Sequence, residues 1–283
     1  MATFTNKATL SYNGKTTDSN TVTGIFLETL SITKTATVDS YTQDSVLTYV
    51  VSIVNSGSSS FAGLTLTDDL GAYPFGSTTL YPLEYIDGTL LYYVNGTLQS
   101  TLTPTATQPL TVSGISVPAG GNAILVYSVS VGNTAPLDVD GEIVNVVTAD
   151  GAGLAEPISA TETVFTSDAP ELTITKELTP TVVTENETIT YTFVIRNSGN
   201  TAAVATDNVV LADVFDPVLA ITSVTLDGVP LTQTTDYTYN TLTGEFATVA
   251  GVITVPAATY TQEPDGSYTV TPGGTTLVVV GTV

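Results

Sequence analysis

Short runs of alternating apolar and polar residues cover most of the chain. These runs are rich in Val, Ile, Thr and Tyr, and Asn-Gly, Ser-Gly, Asp-Gly, Gly-Gly and Pro signals separate them about every ten residues. A period of two is typical of half-buried β-strands, and this spacing of turns is typical of β-sandwiches. No segment has a convincing helical period. The pattern therefore predicts an all-β protein built from sandwiches of antiparallel sheets.

An internal repeat divides the chain into two similar halves. Three short segments of the first half recur 142 positions later. They are Leu30-Ser31-Ile32-Thr33-Lys34, which recurs as Leu172-Thr173-Ile174-Thr175-Lys176, Thr48-Tyr49, which recurs as Thr190-Tyr191, and Asn55-Ser56-Gly57, which recurs as Asn197-Ser198-Gly199. After a small insertion, Leu64-Thr65-Leu66-Thr67-Asp68 matches Val209-Val210-Leu211-Ala212-Asp213. The repeat predicts an N-terminal arm and linker over residues 1–24, domain 1 over residues 25–166 and domain 2 over residues 167–283.

The last strand of domain 1 has no counterpart in domain 2. That strand runs from Glu142 to Asp150, and its apolar face carries Ile143, Asn145, Val147 and Ala149. Domain 2 stops at Val283, before such a strand begins. We therefore expect domain 2 to be a sandwich that lacks its last strand.

The missing pattern begins the chain. Residues 2–12 read as one strand whose inner face carries Phe4, Asn6, Ala8 and Leu10, with Asn6 in the place of Asn145. Residues 19–23 also parallel residues 159–163, which would extend the donated piece to a hairpin ending near Gly24. An incomplete sandwich exposes unpaired edges that recruit a strand.

The donor strand could come from the same chain or from a neighbouring copy. A linker of roughly a dozen residues spans at most ~40 Å when fully extended, and domain 1 stands between donor and acceptor. Donation to a neighbour is therefore the easier geometry. Because donor and acceptor patches differ, repetition of this contact gives an open filament, a homopolymer, unless the rotation closes it.

Composition narrows the possible partners and chemistry. The formal net charge is −22, with five basic residues, so nucleic acid and anionic membrane surfaces would be repelled. Cysteine, histidine and tryptophan are absent, which removes disulfides, thiolate metal sites and the commonest general base. No apolar run is long enough to span a bilayer, and the first residues do not resemble a secretory signal peptide. We expect neither membrane insertion nor a cofactor.

Three polar residues of domain 1 share faces with apolar neighbours and should point into the core: Lys34, Asp68 and Asn145. Burial favours a neutral amine and a protonated acid, and a neutral amine held against a carboxamide can attack it with loss of ammonia. We expect a Lys34–Asn145 isopeptide bond assisted by Asp68. The blander alternative is that Lys34 bonds to Asp68 at a sheet edge while Asn145 caps a turn.

Domain 2 repeats the lysine and the acid as Lys176 and Asp213. Its asparagine would have to come from the donor strand, so Asn6 of one copy would join Lys176 of the next. No metal site is expected: Asp138, Asp140 and Glu142 could offer oxygen ligands to calcium, but a solvated acidic loop is favoured.

The combined motif Leu-x-Ile-Thr-Lys, the Thr-Tyr strand, Asn-Ser-Gly and the strand ending in Asp resembles the bacterial surface repeat family called domain of unknown function eleven. The resemblance covers nearly the whole chain in two copies and implies immunoglobulin-like sandwiches in cell-envelope or spore-surface proteins. The Lys/Asp/Asn layout is similar to isopeptide-bonded domains of Gram-positive pilins and adhesins. The chain shows no sorting motif or anchor and is closer to the subunits of endospore appendages.

These observations predict a structural subunit that polymerises head to tail on a cell or endospore surface, with a possible anchoring protein. The alternative is an adhesin or surface-layer binding module without intrinsic polymerisation, whose first strand belongs to a preceding domain. No Ser-His-Asp set, phosphate loop or metal-ligand spacing supports turnover catalysis. A pocket that gathers Asp and Tyr residues would be needed to revive an enzyme hypothesis.

Overall fold

The structure, a computed structural model, describes residues 3–25, 29–151 and 153–283. Strands dominate this described part, in which the helical structure is a 3₁₀ turn at Ala205–Asp207. The predicted fold class is confirmed: the protein is all-β, with two tandem immunoglobulin-like sandwiches, and in the described residues the second has no counterpart of the last strand of the first. In the described residues, no helix has the length and hydropathy needed to cross a bilayer.

The chain divides into two compact units. Unit 1 comprises Met1–Pro136 and Glu142–Phe165, and unit 2 comprises Leu137–Gly141 and Thr166–Val283. The segment Leu137–Gly141, which the sequence assigned to domain 1, groups with unit 2. The N-terminal arm groups with unit 1.

The arm is a bulged hairpin of four short strands: β1 (Thr3–Asn6), β2 (Thr9–Tyr12), β3 (Lys15–Asp18) and β4 (Val22–Ile25). Strand β1 pairs with β4, and β2 pairs with β3. The tip is Asn13-Gly14, whose φ angles of 47° and 73° suit the two-residue turn of a tight hairpin.

The arm's first strand is interrupted, which corrects the prediction of one continuous strand over residues 2–12. Two residues separate β1 from β2, whereas three separate β3 from β4, so the returning side bulges. The Ala8 N–H donates to Ser19 Oγ at 2.9 Å, and the Ser19 N–H donates to the Ala8 carbonyl at 2.8 Å. Residue 2 lies outside the described residues.

Besides the four strands of the arm, unit 1 contains fourteen strands in the described residues. They are β5 (Leu30–Ala36), β6 (Ser40–Tyr41), β7 (Val46–Asn55), β8 (Phe61–Asp68), β9 (Tyr73–Phe75), β10 (Thr78–Leu80), β11 (Leu83–Tyr85), β12 (Leu91–Val94), β13 (Thr97–Leu98), β14 (Ala106–Thr107), β15 (Leu110–Val117), β16 (Asn122–Val131), β17 (Glu142–Asp150) and β18 (Ile158–Thr166).

Two sheets of unit 1 form its sandwich. One has the order β13-β12-β16-β7-β5, with β11 also paired to β16, and the other has the order β14-β15-β8-β17-β18-β6. Alternate residues of their central strands are fully buried, as the period-two pattern predicts. Strand β17 therefore lies between β8 and β18 and contributes one side of the core.

Unit 2 contains ten strands in the described residues. They are β19 (Leu172–Thr179), β20 (Thr188–Asn197), β21 (Ala212–Val214), β22 (Ala220–Leu226), β23 (Val229–Pro230), β24 (Tyr237–Tyr239), β25 (Glu245–Thr248), β26 (Thr259–Gln262), β27 (Tyr268–Thr271) and β28 (Gly273–Thr282). The sheet order β19-β20-β28-β22-β23 faces a small sheet of order β21-β25-β24 across a shared apolar core.

The repeated Asn-Ser-Gly motif has the same structural task in both units. Asn55 Nδ2 donates to the carbonyls of Ser59 and Pro118 at 2.8 and 2.9 Å. Asn197 Nδ2 likewise donates to the carbonyls of Thr201 and Pro256, at 2.7 and 3.1 Å. A buried carboxamide thus satisfies loop carbonyls at the same place in each sandwich, which explains why this part of the repeat is so exact.

Candidate functional site

Lys34, Asp68 and Asn145 all lie in the core of unit 1. Lys34 is on β5, Asp68 ends β8 and Asn145 is inside β17, away from any turn. The side chains of Lys34 and Asp68 are fully excluded from solvent, and Asn145 is equally buried. Each faces inward because it shares a strand face with buried apolar residues. The Lys34 ammonium lies 2.5 Å from Asp68 Oδ2.

Asp68 is held in place by two further donors. The Tyr127 hydroxyl donates to Oδ2, the same oxygen that accepts from Lys34. The Leu70 N–H donates to the other oxygen, Oδ1, at 2.9 Å. Three donors from three segments therefore fix the orientation of this buried carboxyl group and satisfy its hydrogen-bonding capacity.

The Lys34 amine is surrounded by an aromatic ring and acidic side chains. Its Nζ lies 4.7 Å from the centre of the Tyr49 ring. Burial lowers the pKa of Lys34 below its ordinary value, and nearby Asp68, Asp69 and Glu162 only partly oppose that effect. The neutral, nucleophilic form of this amine is therefore more favoured than that of an exposed lysine.

Asn145 is the unsatisfied member of the cluster. Neither its carbonyl oxygen nor its amide nitrogen makes a hydrogen bond within the described residues. The Tyr49 hydroxyl is close enough for Asn145 to affect the pKa of Tyr49, but the two groups do not reach hydrogen-bond geometry. A buried carboxamide without partners is costly and rare, so its presence in the core that also holds Lys34 and Asp68 requires an explanation.

Asp69 fixes the strand on which Asn145 lies. Its Oδ1 accepts the N–H groups of Val146 at 2.8 Å and Gly71 at 3.0 Å. Burial raises the pKa of Asp69, and these two N–H groups oppose the shift. The Asp69 N–H also donates to the Val146 carbonyl at 2.9 Å. The residue next to Asn145 is therefore bound to the end of β8 on both its N–H and its carbonyl.

Unit 2 contains the same lysine and acid in an open setting. Lys176 Nζ lies 2.5 Å from Asp213 Oδ2, but the two side chains are 40% and 18% exposed. The rings of Tyr191, Phe193 and Phe215 lie 4.6, 5.5 and 5.6 Å from the Lys176 ammonium. The lysine is therefore lined on one side by aromatic rings and open to solvent on the other.

One edge of the small sheet of unit 2 differs from its counterpart in unit 1. In the described residues, β21 pairs with β25 on one edge and with no strand on the other, whereas β8 in unit 1 pairs with both β15 and β17. Strand β19 is exposed along almost its whole length, although its counterpart β5 is partly buried. A depression of about 390 Å³ lined in part by Asp213, Val214 and Phe246 opens beside β21.

The two lysine sites differ in their supporting residues. Tyr127 lies opposite Tyr49 in unit 1, whereas Val279 lies opposite Tyr191 in unit 2, so the hydroxyl that binds Asp68 has no equivalent there. Asp69 is replaced by Val214. Unit 2 therefore repeats the lysine and the acid but not the tyrosine hydroxyl and the second acid that accompany them in unit 1.

Asn6 has a cross-strand pairing that corresponds to that of Asn145, although Asn6 is exposed and Asn145 is buried. Asn6 lies opposite Val22 in the β1–β4 pair, as Asn145 lies opposite Glu162 in the β17–β18 pair. Asn6 and the other residues expected on the inner face of the donor strand, Phe4, Ala8 and Leu10, are exposed in the structure. The arm is thus a hairpin of the kind that fills the corresponding place in unit 1.

Sequence reasoning did not assign roles to Tyr49, Tyr127 or Asp69. Tyr49 was within reach, because it belongs to the repeated Thr-Tyr pair. Tyr127 has no counterpart in the second copy, so the repeat carries no signal for it. In the described residues, no group of three or more His, Cys, Asp or Glu side chains is arranged to hold a metal ion.

Comparison with known proteins leaves the family open. No family model matches the chain, and no curated protein sequence matches it. Among solved structures it is similar to the major pilin subunit of Bacillus cereus, with 10% identity, a TM-score of 0.36, and coverage of 96% of this chain and 73% of that one.

Two shorter likenesses involve other surface proteins. The pilus backbone of Streptococcus pneumoniae matches with 13% identity and a TM-score of 0.35, over 44% of this chain and 52% of that one. The collagen-binding domain of a Staphylococcus aureus adhesin matches with 15% identity and a TM-score of 0.32, over 50% of this chain and 99% of that domain. This chain thus aligns with about half the length of the streptococcal protein. Structural similarities with TM-scores this low do not support a conclusion about function.

Proposed function

We propose that this protein is a structural subunit of a self-assembling extracellular or spore-surface fibre. In this proposal, the N-terminal arm of one copy completes unit 2 of the next copy, and repetition gives a head-to-tail homopolymer. The observation that carries the proposal is the free edge of β21 beside the open Lys176–Asp213 pair, at the place where unit 1 holds β17 and Asn145.

The arm supports the proposal because it carries the asparagine and the apolar side chains that the open edge of unit 2 lacks. It presents exposed apolar side chains, including Phe4 at 48% and Leu10 at 62% exposure, and it carries Asn6 on the same side. An unpaired edge strand beside an exposed apolar surface is a template for strand addition. Donor and acceptor patches differ, so the contact is heterologous and propagates.

In unit 1 we propose an intramolecular isopeptide bond that forms once, without a cofactor. The neutral Lys34 Nζ attacks Asn145 Cγ, and Asp68 transfers a proton from Nζ to the amide nitrogen, which leaves as ammonia. The new amide joins Nζ to Cγ and replaces one N–H of the lysine and the whole NH₂ group of the asparagine. The buried carboxamide of Asn145 has no hydrogen-bond partner in the described residues, and this supports the proposed reaction. The reaction would join that carboxamide to the lysine amine and remove its unsatisfied NH₂ group.

Between subunits we propose the same reaction with Asn6 of one copy and Lys176 of the next, assisted by Asp213. Docking of the arm would cover Lys176 and exclude water from a pair that is now partly exposed. Exclusion of water favours the neutral amine and strengthens its interaction with the acid. The protein would act in a single turnover on itself and not as an enzyme with an external substrate.

The test is denaturing gel electrophoresis of purified protein after boiling in detergent, together with electron microscopy of the undenatured sample. We expect fibres by microscopy and a ladder on the gel, with a peptide joining Asn6 to Lys176 and lacking one ammonia by mass spectrometry. The Asn6→Ala variant should lose the ladder. The matched Asn145→Ala variant should keep the ladder and lose only the intramolecular bond in unit 1.

The alternatives give different results in the same experiment. Fibres that dissolve to monomers would support strand donation and contradict the covalent link between subunits. Monomers both before and after denaturation would contradict the fibre proposal and favour a surface adhesin that does not polymerise. Attachment of the fibre to a cell or endospore would need a separate anchoring protein, to be sought by pull-down from surface extracts.

A further inference from the structure

We infer that the arm docks on unit 2 as a preformed two-stranded hairpin in one register, with Thr9 of one copy opposite Ala212 of the next. This inference rests on the proposed function and adds which residues of the two copies meet. It differs from donation of a single extended strand, because the returning strand of the hairpin also becomes part of the completed sheet.

Unit 1 supplies the template for the register. Along the β8–β17 pair, Asp68 lies opposite Val147 and Thr67 lies opposite Thr148. On its other edge, β17 pairs with β18, where Asn145 lies opposite Glu162. The strand that carries the asparagine is therefore the inner strand of a hairpin, with the acid-bearing strand on one side and its own partner on the other.

The arm reproduces the asparagine end of that template. Asn6 opposite Val22 corresponds to Asn145 opposite Glu162, and Phe4 opposite Gly24 corresponds to Ile143 opposite Val164. Counting forward from the asparagine in each strand places Ala8 at the position of Val147 and Thr9 at that of Thr148. In unit 2, Asp213 and Ala212 correspond to Asp68 and Thr67. The template therefore sets Ala8 opposite Asp213 and Thr9 opposite Ala212.

Backbone hydrogen bonds of the arm agree with this register. The N–H and carbonyl of Ala8 both bond to Ser19, so they point to the inside of the hairpin. In an antiparallel strand, successive residues direct these groups to opposite edges. The N–H and carbonyl of Thr9 therefore point to the outer edge of the arm, where a new strand would pair.

Backbone hydrogen bonds of unit 2 agree from the other side. The Leu211 carbonyl accepts the Thr248 N–H at 2.9 Å, and the Leu211 N–H donates to Thr248 Oγ1 at 3.0 Å. By the same alternation, Ala212 directs its N–H and carbonyl to the free edge of β21. A slip of one residue would turn these groups away from each other and would move Asn6 to the opposite face of the sheet.

A hydrogen bond at the end of β21 marks the next position of the register. The Val214 N–H donates to Asp213 Oδ1 at 2.9 Å, whereas the equivalent N–H in unit 1, that of Asp69, donates to the Val146 carbonyl. The docked arm would present the Lys7 carbonyl to Val214. Asp213 Oδ1 would then be released from its neighbour and become available to the Lys176–Asn6 pair.

The docked hairpin would also cover the apolar side chains that unit 2 exposes. Leu172 and Ile174 on β19 are 38% and 55% exposed, whereas Leu30, the counterpart of Leu172, is buried. Phe4 and Leu10 of the arm are similarly exposed and share a face with Asn6. Burial of these facing apolar surfaces provides the driving force for docking, and the register decides which residues meet.

Disulfide trapping between separate chains tests the register, and the absence of native cysteine makes the readout clean. Full-length Thr9→Cys protein is mixed with full-length Ala212→Cys protein under mild oxidation. The matched control mixes Ser11→Cys with Ala212→Cys, which places the cysteine on the same face but two residues further along. Linked peptides are measured by mass spectrometry, and fibres of the unmodified chain are checked by microscopy.

We expect at least about tenfold more 9–212 than 11–212 disulfide, because a displacement of two residues takes the Cα atoms beyond the reach of a disulfide. A dominant 11–212 disulfide would overturn the register. Fibres of the unmodified chain with neither disulfide would overturn docking at β21 while leaving fibre assembly in place. An unmodified chain that forms no fibres would instead overturn the proposed function itself.

Discussion

Lys34 Nζ lies 2.5 Å from Asp68 Oδ2 with both side chains fully buried, and the same pair in unit 2, Lys176 and Asp213, is separated by the same distance but open to solvent. The two ion pairs have the same N···O distance but different exposure to water. Because the strength of an ion pair and the cost of breaking it depend on burial, the two lysines should respond differently to the same substitution.

Replacing Lys34 with Met should destabilise unit 1 by about 3–5 kcal/mol, because the buried Asp68 carboxyl group would lose its Lys34 partner. The matched change Lys176→Met should alter unit 2 by less than about 1 kcal/mol, since that pair is partly exposed. Both variants are made in the Asn145→Ala chain, so that no intramolecular isopeptide bond contributes. Urea denaturation followed by hydrogen exchange mass spectrometry reports on each unit separately. Equal losses in the two units would contradict the assigned burial.

Replacing Tyr127 with Phe should slow formation of the Lys34–Asn145 bond about tenfold or more. The hydroxyl donates to Asp68, and a hydrogen bond to a charged group contributes about 1.5–3 kcal/mol. The measurement is the fraction of freshly translated protein that has lost one ammonia in unit 1 at successive times. Tyr92→Phe is the control, because its hydroxyl bonds to the Ser116 carbonyl at 2.9 Å instead of to Asp68. A similar delay in both variants would indicate a general effect on folding.

Asp69 should act as a positioning residue for the strand that carries Asn145. Asp69→Ala removes the acceptor of the Val146 N–H and should slow the loss of ammonia, whereas Asp69→Asn keeps an oxygen in that place and should restore most of the rate. Loss of the acceptor leaves a buried N–H unsatisfied, at a cost of about 1–3 kcal/mol. The same time course by mass spectrometry checks the result. Equal rates for the Ala and Asn variants would show that the hydrogen bond does not matter.

Stability of unit 1 should depend on alkaline pH in two opposite ways in the Asn145→Ala chain. Burial lowers the pKa of Lys34 below its ordinary 10.5, so between the lowered pKa and 10.5 the unfolded state binds more protons and stability rises with pH. Burial raises the pKa of Tyr49 and Tyr127 above their ordinary 10.0, so the unfolded state loses these protons first and stability falls above 10.0.

Urea denaturation of unit 1 across the alkaline range, at constant ionic strength, measures this profile. Addition of Lys34→Met should abolish the rise and leave the fall caused by the tyrosines. A rise that persists in that variant would assign it to a group other than Lys34. The intact chain should show a weaker rise, because a lysine consumed in an isopeptide bond no longer titrates.

The inward direction of the three polar residues in unit 1 could be predicted from sequence because it is a local property. Lys34, Asp68 and Asn145 each alternate with apolar residues, and a strand turns alternate side chains to the same face whatever it packs against. The repeat then indicated which residues of the second half correspond to them. The same reasoning wrongly extended one strand over residues 2–12, because the bulge depends on Ser19, which lies across the hairpin.

The partners of those residues could not be predicted in this way. Tyr127 and Asp68 are 59 positions apart and meet only because β16 and β8 belong to facing sheets. Asp69 reaches Val146 across a strand pairing that joins segments 77 positions apart. The hydrophobic pattern within either segment cannot predict these contacts, because the contacts depend on the order and the register of the strands in the sheets.

Sequence alone was enough to derive the β architecture, the repeat, the inward direction of Lys34, Asp68 and Asn145, and the likeness of the arm to the last strand of domain 1. The described structure was needed to show which strand of unit 2, β21, has the unpaired edge, that the arm is a bulged hairpin, and that Lys34 is buried while Lys176 is exposed. The physical reason is that alternation and turn residues act within a few positions of the chain. Burial, pairing and hydrogen-bond partners are decided by segments that the chain brings together from far apart.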